Sequence, residues 1–397
     1  MKKEIYQGPL SFFAILLAST IDAGAQGLLI GHIDFTTYYS TESNEWISEF
    51  RHGEWENPDA RTPTDEVSLH ARDIPVNHDA QVPEEVQGDR YVQPYANIYD
   101  FTGVPDGNPI WMFPRSDNGH SWPGFRNDQI TGTFRSYVPS DDSRVTLEGP
   151  WMTLELMNMT YAGSSNNPQF SLWQTLTSGE VLQWMATSDG IDSDDIYYMK
   201  ENGHSHANIG FSSLGLYRIG YKPSAILEAT GVSAEGSTKF VTFAIGTKAA
   251  WTASYYAGDD LIAGAVSGDE SDSDMDGIKL LLEYAFNLNP ISADFKILEA
   301  GNGTHGLPLI NLVPSGTESV LQIEYIRRKV STNPQINYFP EFASSLTTGQ
   351  WEVQTAETVT SIDANWERVV VTDSTDSSIE NQRFGRVRVE VQEIISY

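Results

Sequence analysis

Short β-rich runs, each followed closely by turn residues, recur through most of this chain and constrain its fold more than any other feature. They occupy residues 28–38, 110–113, 131–137, 144–156, 170–175, 216–221 and 239–245. Pro105-Asp106-Gly107, Asp117-Asn118-Gly119 and Asn202-Gly203 stand between them. Glycine and asparagine reach positive φ at low cost and proline presets φ, so such clusters reverse the chain. Tyr221-Lys222-Pro223-Ser224-Ala225 is expected to close a strand. The pattern returns at 309–313, 320–328, 338–343, 351–354, 366–372 and 385–391. Val387-Arg388-Val389-Glu390-Val391 alternates strictly, as a strand with one buried face does. Successive short strands with turn signals between them predict β-sandwiches. The fold expected is mainly β. A signal peptide covers 1–25, a first sandwich 26–248, an acidic linker 249–294 and a smaller sandwich 295–397.

The leader expectation rests on Lys2 and Lys3, an apolar run at 10–18 too short to span a bilayer, and Ala23-Gly24-Ala25. This is the charged, apolar and small-x-small order of an export signal, so the mature chain should begin at Gln26. No other run reaches membrane length. No hydrophobic tail or sorting motif precedes Tyr397, so release is expected as readily as surface retention.

Acidic residues number 54 against 24 basic, a formal net charge of −30. A chain so negative repels phosphate backbones, so no nucleic-acid partner is expected; anionic lipid surfaces are poor partners for the same reason, and cations are good ones. There is no cysteine, so disulfides, thiolate nucleophiles and thiolate metal sites are excluded.

Two groups of residues carry metal chemistry. Asp272, Asp274, Asp276, Gly277, Ile278 and Glu283 match the spacing D-x-D-x-D-G-x5-E. A hard cation wants oxygen ligands, and this spacing delivers them. Three aspartates come from the first half of the loop, the carbonyl from Ile278 and a bidentate carboxylate from Glu283. Gly277 takes the sharp turn. Residues 278–287 have helical spacing and end at Asn289-Pro290, so one short helix is expected there. A single loop between two sandwiches reads as a calcium-stiffened joint rather than a sensor.

The second group is His32 and Asp34 in the first strand, with His204 and His206 after the Asn202-Gly203 turn. Residues i and i+2 of a strand share a face. If the two strands are neighbours, three imidazoles and a carboxylate converge, an adequate shell for zinc or a similar transition metal. The plain alternative is that these side chains hydrogen-bond to loops or face water. Trp46, Trp55, Trp111, Trp122, Trp151, Trp173 and Trp184 could offer sugar-binding faces, although most should be core. No H-E-x-x-H or G-x-S-x-G spacing is present.

Several of these pieces occur in the order found in a known family. They are Gly31-His32-Ile33-Asp34, Ile110-Trp111-Met112-Phe113-Pro114-Arg115, Trp122-Pro123-Gly124-Phe125, Ser188-Asp189-Gly190-Ile191-Asp192-Ser193 and His204-Ser205-His206-Ala207-Asn208. Phe211 and Gly215-Leu216-Tyr217 follow. With them, residues 31–224 resemble the bacterial choice-of-anchor M domain, a module of surface-anchored proteins. Ile209 stands where the family usually has an aromatic. Leu282-Glu283-Tyr284-Ala285-Phe286 with Asn289-Pro290 resembles the calcium-loop linker of large bacterial secreted proteins. Glu324-Tyr325-Ile326-Arg327-Arg328, Trp366-Glu367-Arg368-Val369 and Arg383-Phe384-Gly385-Arg386-Val387 resemble their C-terminal sandwich. The resemblance implies a secreted or cell-surface protein, extracellular or periplasmic, of bacterial type. Some relatives look associated with metal-uptake transporters.

The function expected is a non-catalytic structural or adhesive protein with a calcium-stabilised linker, presenting its first domain to a surface ligand or envelope component. The alternative is a transition-metal-binding module using His32, His204 and His206. A polysaccharide-acting or carbohydrate-binding protein is a more distant one.

Overall fold

Alternation along the short strands builds five β-sheets in the computed structural model, which describes residues 32–52, 61–63, 68–70, 98–105, 110–116, 122–256, 258–347, 350–376 and 382–392. The leader over 1–25, the run before His32, Gly31, Trp55, Asp106-Gly107 and Asp117-Asn118-Gly119 lie outside these residues. The protein is mainly β, and no described helix is long and apolar enough to cross a membrane.

Three sheets share one core. The first runs His204–Ser205, Trp122–Arg126, His32–Ser40, Glu45–His52, Arg61–Pro63. The second runs Val181–Ala186, Phe170–Thr175, Asn208–Phe211, Trp111–Phe113. The third centres on the long strands Gly149–Ala162 and Gly215–Ile226, with Lys239–Ile245 beside the latter. Ile33, Phe35 and Phe125 from the first sheet pack with Phe113, Leu172 and Phe211 from the second and Leu154, Ile219 and Phe243 from the third. All are buried; the second sheet is covered on its other face as well, where Met112 and Trp173 pack with Tyr99, Val104 and Ile110.

Trp46, Trp111, Trp173 and Trp184 are core. Trp122 and Trp151 are half-buried, with rings against His206 and Lys200. The strand expected to close over 221–225 ends at Ile226, with Pro223 inside it. Pro223 lacks an N–H, but the Ser224–Ile226 stretch beyond it still pairs with Ser233–Glu235. The run at 131–137 is mostly turn and forms a strand only over Ser136–Tyr137.

The segment expected as a linker with one helix holds more structure than that. Helices Thr247–Ala253, Gly264–Ser267 and Leu280–Phe286 lie in it, with a 3₁₀ turn at Gly258–Leu261. Ala249, Ala253, Tyr256, Leu261 and Leu280 bury against Leu216 and Ala244 of the third sheet. The periodicity of 247–253 is hidden because alanines supply the apolar face.

The C-terminal part has two sheets. One is Leu309–Ser315, Glu318–Arg328, Trp366–Asp376, Glu357–Ser361, and the other Glu352–Val353, Ile336–Ala343, Phe384–Val391. Ile323, Tyr325, Phe342, Val369 and Val371 form its core together with Tyr284, Ala285 and Phe286 from helix Leu280–Phe286.

Candidate metal centres

The histidine group is assembled by three strands rather than two. His32–Ser40 pairs in parallel with Trp122–Arg126, placing His32 opposite Trp122 and Asp34 opposite Gly124. His204–Ser205 pairs with the other edge of Trp122–Arg126, placing His204 opposite Arg126. The strands of His32 and His204 are therefore separated by one strand and are not direct neighbours. His206 departs from the sequence reading. It stands in the connection between His204–Ser205 and Asn208–Phe211, so strand alternation does not aim it.

Convergence across the intervening strand depends on Gly124. A Cβ there would lie 2.6 Å from Asp34 Oδ1, 2.6 Å from His206 Cε1 and 2.9 Å from His206 Nδ1. The space a side chain would fill is the space in which the flanking groups meet. One donor atom from each of His32, Asp34, His204 and His206 lies within 4.8 Å of the others. Donors around a tetrahedral zinc ion stand about 3.3 Å apart, given zinc–ligand bonds of about 2.0–2.1 Å, so modest side-chain rotations close the shell.

The proton positions suit a cation. His206 Nδ1 lies 3.1 Å from the Pro123 carbonyl, which can only accept, so Nδ1 carries the hydrogen and Nε2 keeps its lone pair. That Nε2 is buried without a hydrogen-bond partner. Burial chiefly, with the neighbouring rings of His204 and His32, pushes His206 down to about 4 against the pull of Pro123 and Asp34, so it stays neutral. His32 Nε2 is 3.3 Å from Asp34 Oδ1 without hydrogen-bond geometry, and it too lacks a partner. His204 Nε2 donates to Asp34 Oδ1 at 2.9 Å. Burial opposes ionisation of Asp34, but that hydrogen bond and the three imidazoles outweigh it and hold the carboxyl below its ordinary value. Trp122 stacks on His206 at 3.9 Å between centroids and leans on His32 at 4.8 Å, fixing both rings from one side.

The acidic loop is the second centre. Asp272, Asp274 and Asp276 bring one oxygen each within 4.8 Å of one another. Their carboxylates fold the loop by accepting backbone N–H groups: Asp276 and Gly277 on Asp272, at 3.1 and 3.0 Å, and Ile278 on Asp276 at 2.8 Å. Gly277 has φ +90°, a left-handed turn that a Cβ would resist. Glu283 is 1% exposed, and its Oε1 has no partner. Burial and then the charges of Asp274, Asp276, Asp294 and Asp272 push Glu283 up to about 8. A carboxylate buried among carboxylates is costly unless a cation joins them.

The sequence reading missed Gly124, Trp122 and Asp294. Trp122 and Gly124 lie in the Trp122-Pro123-Gly124-Phe125 motif, but nothing in that motif says that a strand would pass between the two histidine segments. Asp294 lies beyond the twelve-residue loop pattern.

No family model matches this sequence, and no curated protein does. Among solved structures, the secreted serine protease VesC from Vibrio cholerae aligns at 11% identity with a TM-score of 0.12. The alignment covers 60% of this chain and 44% of that one, so this chain spans less than half of that protein's length. A likeness this low carries no argument about fold or activity.

Proposed function

We propose that this chain is a secreted or cell-surface protein of bacterial type that binds a zinc-like transition metal through His32, Asp34, His204 and His206. The carrying observation is that four donors from two distant chain segments converge over Gly124, with His206 Nδ1 committed to Pro123 and its Nε2 left as a lone pair. Three imidazoles and one carboxylate are a donor set suited to zinc. Four protein donors complete a tetrahedral shell, whereas catalytic zinc sites typically supply three and leave one position for water. That supports a binding role rather than turnover.

The order of motifs shared with the choice-of-anchor M domain supports surface display, and the net charge of −30 supports cations as partners. Two β-sandwiches, over 26–248 and 295–397, are the reading we give to the sheets that share each core. The acidic loop is read as a calcium site that stiffens the segment between them, because Glu283 is buried with an oxygen unpaired beside the three aspartates. The adhesive reading, with an unnamed surface ligand, has no comparable site among the described residues.

The test is elemental analysis of the full chain after zinc loading and gel filtration. About one zinc ion per chain is expected for the wild type, and almost none for a variant with His204→Ala and His206→Ala. Equal, near-zero metal in both would end the transition-metal reading.

A further inference from the structure

We infer that the calcium site reaches outside its twelve-residue loop and takes Asp294 as a ligand, which rests on the calcium reading above. The loop pattern by itself brings the site only to the lower limit of calcium's oxygen count. Asp272, Asp274, Asp276, the Ile278 carbonyl and a bidentate Glu283 provide about six oxygens, where calcium takes about six to eight. The ninth loop position normally contributes a further oxygen, often through water. Here that position is Leu280, an apolar side chain 1% exposed and packed with Ala249, Ala253 and Leu261. Its N–H is spent on the Ser271 carbonyl. The ninth position therefore supplies no side-chain oxygen.

Asp294 is held beside the loop. Its backbone N–H donates to Asp276 Oδ2 at 3.2 Å, which pins it against a loop ligand. Its Oδ2 accepts the Asn289 N–H at 3.2 Å, which fixes the carboxylate plane. Its other oxygen, Oδ1, is buried without a partner. Asp274 Oδ2 and Glu283 Oε1 are in the same condition. Three carboxylates from three places in the chain thus each hold back one buried oxygen, and Glu283 is 99% removed from solvent. The field of Asp294 reaches Glu283 together with those of the three loop aspartates. A hard divalent cation bound by all five carboxylates satisfies every one of these oxygens.

The consequence is mechanical. A loop that ends at Glu283 would staple only its own helix. With Asp294 as a ligand the cation also closes the chain after Asn289-Pro290, locking the exit toward the C-terminal sheets.

The experiment uses the full chain and calcium itself. Calcium affinity is measured by titration against a competing chromophoric chelator for the wild type, Asp294→Asn and Glu148→Gln. The last removes one negative charge from an exposed residue in the other half of the protein. Asp294→Asn keeps an oxygen to accept the Asn289 N–H but turns an amide toward the cation. It is expected to weaken calcium binding by about tenfold or more, since ligand charge count sets affinity at such sites. Glu148→Gln should stay within about twofold of the wild type. Terbium luminescence lifetimes in H₂O and D₂O count coordinated waters, and Asp294→Asn should carry one more than the wild type. Equal affinity and an equal water count in Asp294→Asn and wild type would overturn the assignment of Asp294 alone. A wild type that takes up no calcium would overturn the calcium reading itself.

Discussion

At Gly124 the missing side chain decides what its neighbours can do. A strand facing solvent with histidine and aspartate at i and i+2 is ordinary, and so is a nearby histidine turn. Only because residue 124 has no Cβ do Asp34 and His206 share a space. Gly124→Ala should therefore displace the Asp34 and His206 side chains, which the added Cβ would meet at 2.6 Å, while the Phe125 side of the strand keeps its packing. It should weaken zinc binding by about tenfold or more, the usual scale for disturbing the positioning of metal ligands. Competition with a zinc chelator checks this, and wild-type affinity would refute it. Trp122→Ala tests orientation from the other side. It removes the ring stacked on His206 without removing a ligand. A loss of affinity of about tenfold is expected, with stoichiometry kept at one.

The helix Leu280–Phe286 is the element that joins loop chemistry to packing. Seven residues are too few to hold a helix in water by themselves. Its inward residues divide the work. Glu283 turns to the acidic loop, while Tyr284, Ala285 and Phe286 enter the C-terminal core. Backbone and side chain are then tied down: the Tyr284 hydroxyl donates to the Pro334 carbonyl at 2.8 Å, the Tyr338 hydroxyl to the Ala285 carbonyl at 2.8 Å, and Arg328 Nε to the Tyr284 carbonyl at 3.1 Å. Arg328 also lies over the rings of Tyr284 and Trp366, at 4.0 and 4.4 Å. Phe286→Ala should cost about 3–5 kcal/mol by leaving a cavity in that core. Urea unfolding would read this as a lower midpoint. Tyr284→Phe deletes a single buried hydrogen bond and should cost only about 1–2 kcal/mol, because the Pro334 carbonyl loses its partner while the ring stays packed.

Across the whole molecule, the two metal readings make separable demands. The acidic centre sits beside the helix that completes the C-terminal core, so the proposed calcium site predicts a link between calcium and C-terminal stability. A ligand bound at about a hundred times its dissociation constant stabilises the native state by about 2.7 kcal/mol. Thermal melts should therefore shift upward with calcium. A chelator selective for calcium should lower the transition of the C-terminal core, and Asp272→Ala should abolish the response. An unchanged melting curve in both cases would remove the calcium link. The histidine centre lies on the outer face of a sheet whose inner face packs through Ile33, Phe35 and Phe125, and its loss should leave that transition in place.

The sequence by itself determined what depends on neighbours along the chain. Strand and turn alternation is local, so the mainly β architecture and most strands were legible from residues such as Val387 to Val391. The spacing from Asp272 to Glu283 is also local, and the structure gathers its three aspartates as that spacing implied. Alanine-rich 247–253 escaped because alanine marks a buried helix face weakly. What only the tertiary structure decided is every contact that depends on strand order. The placement of Trp122–Arg126 between the His32 and His204 strands and the reach of His206 across a glycine join residues far apart in the chain, and the turn after Asn289-Pro290 brings Asp294 back to Asp276. Which segments become neighbours is set by how apolar faces find a common core, and no local pattern encodes that.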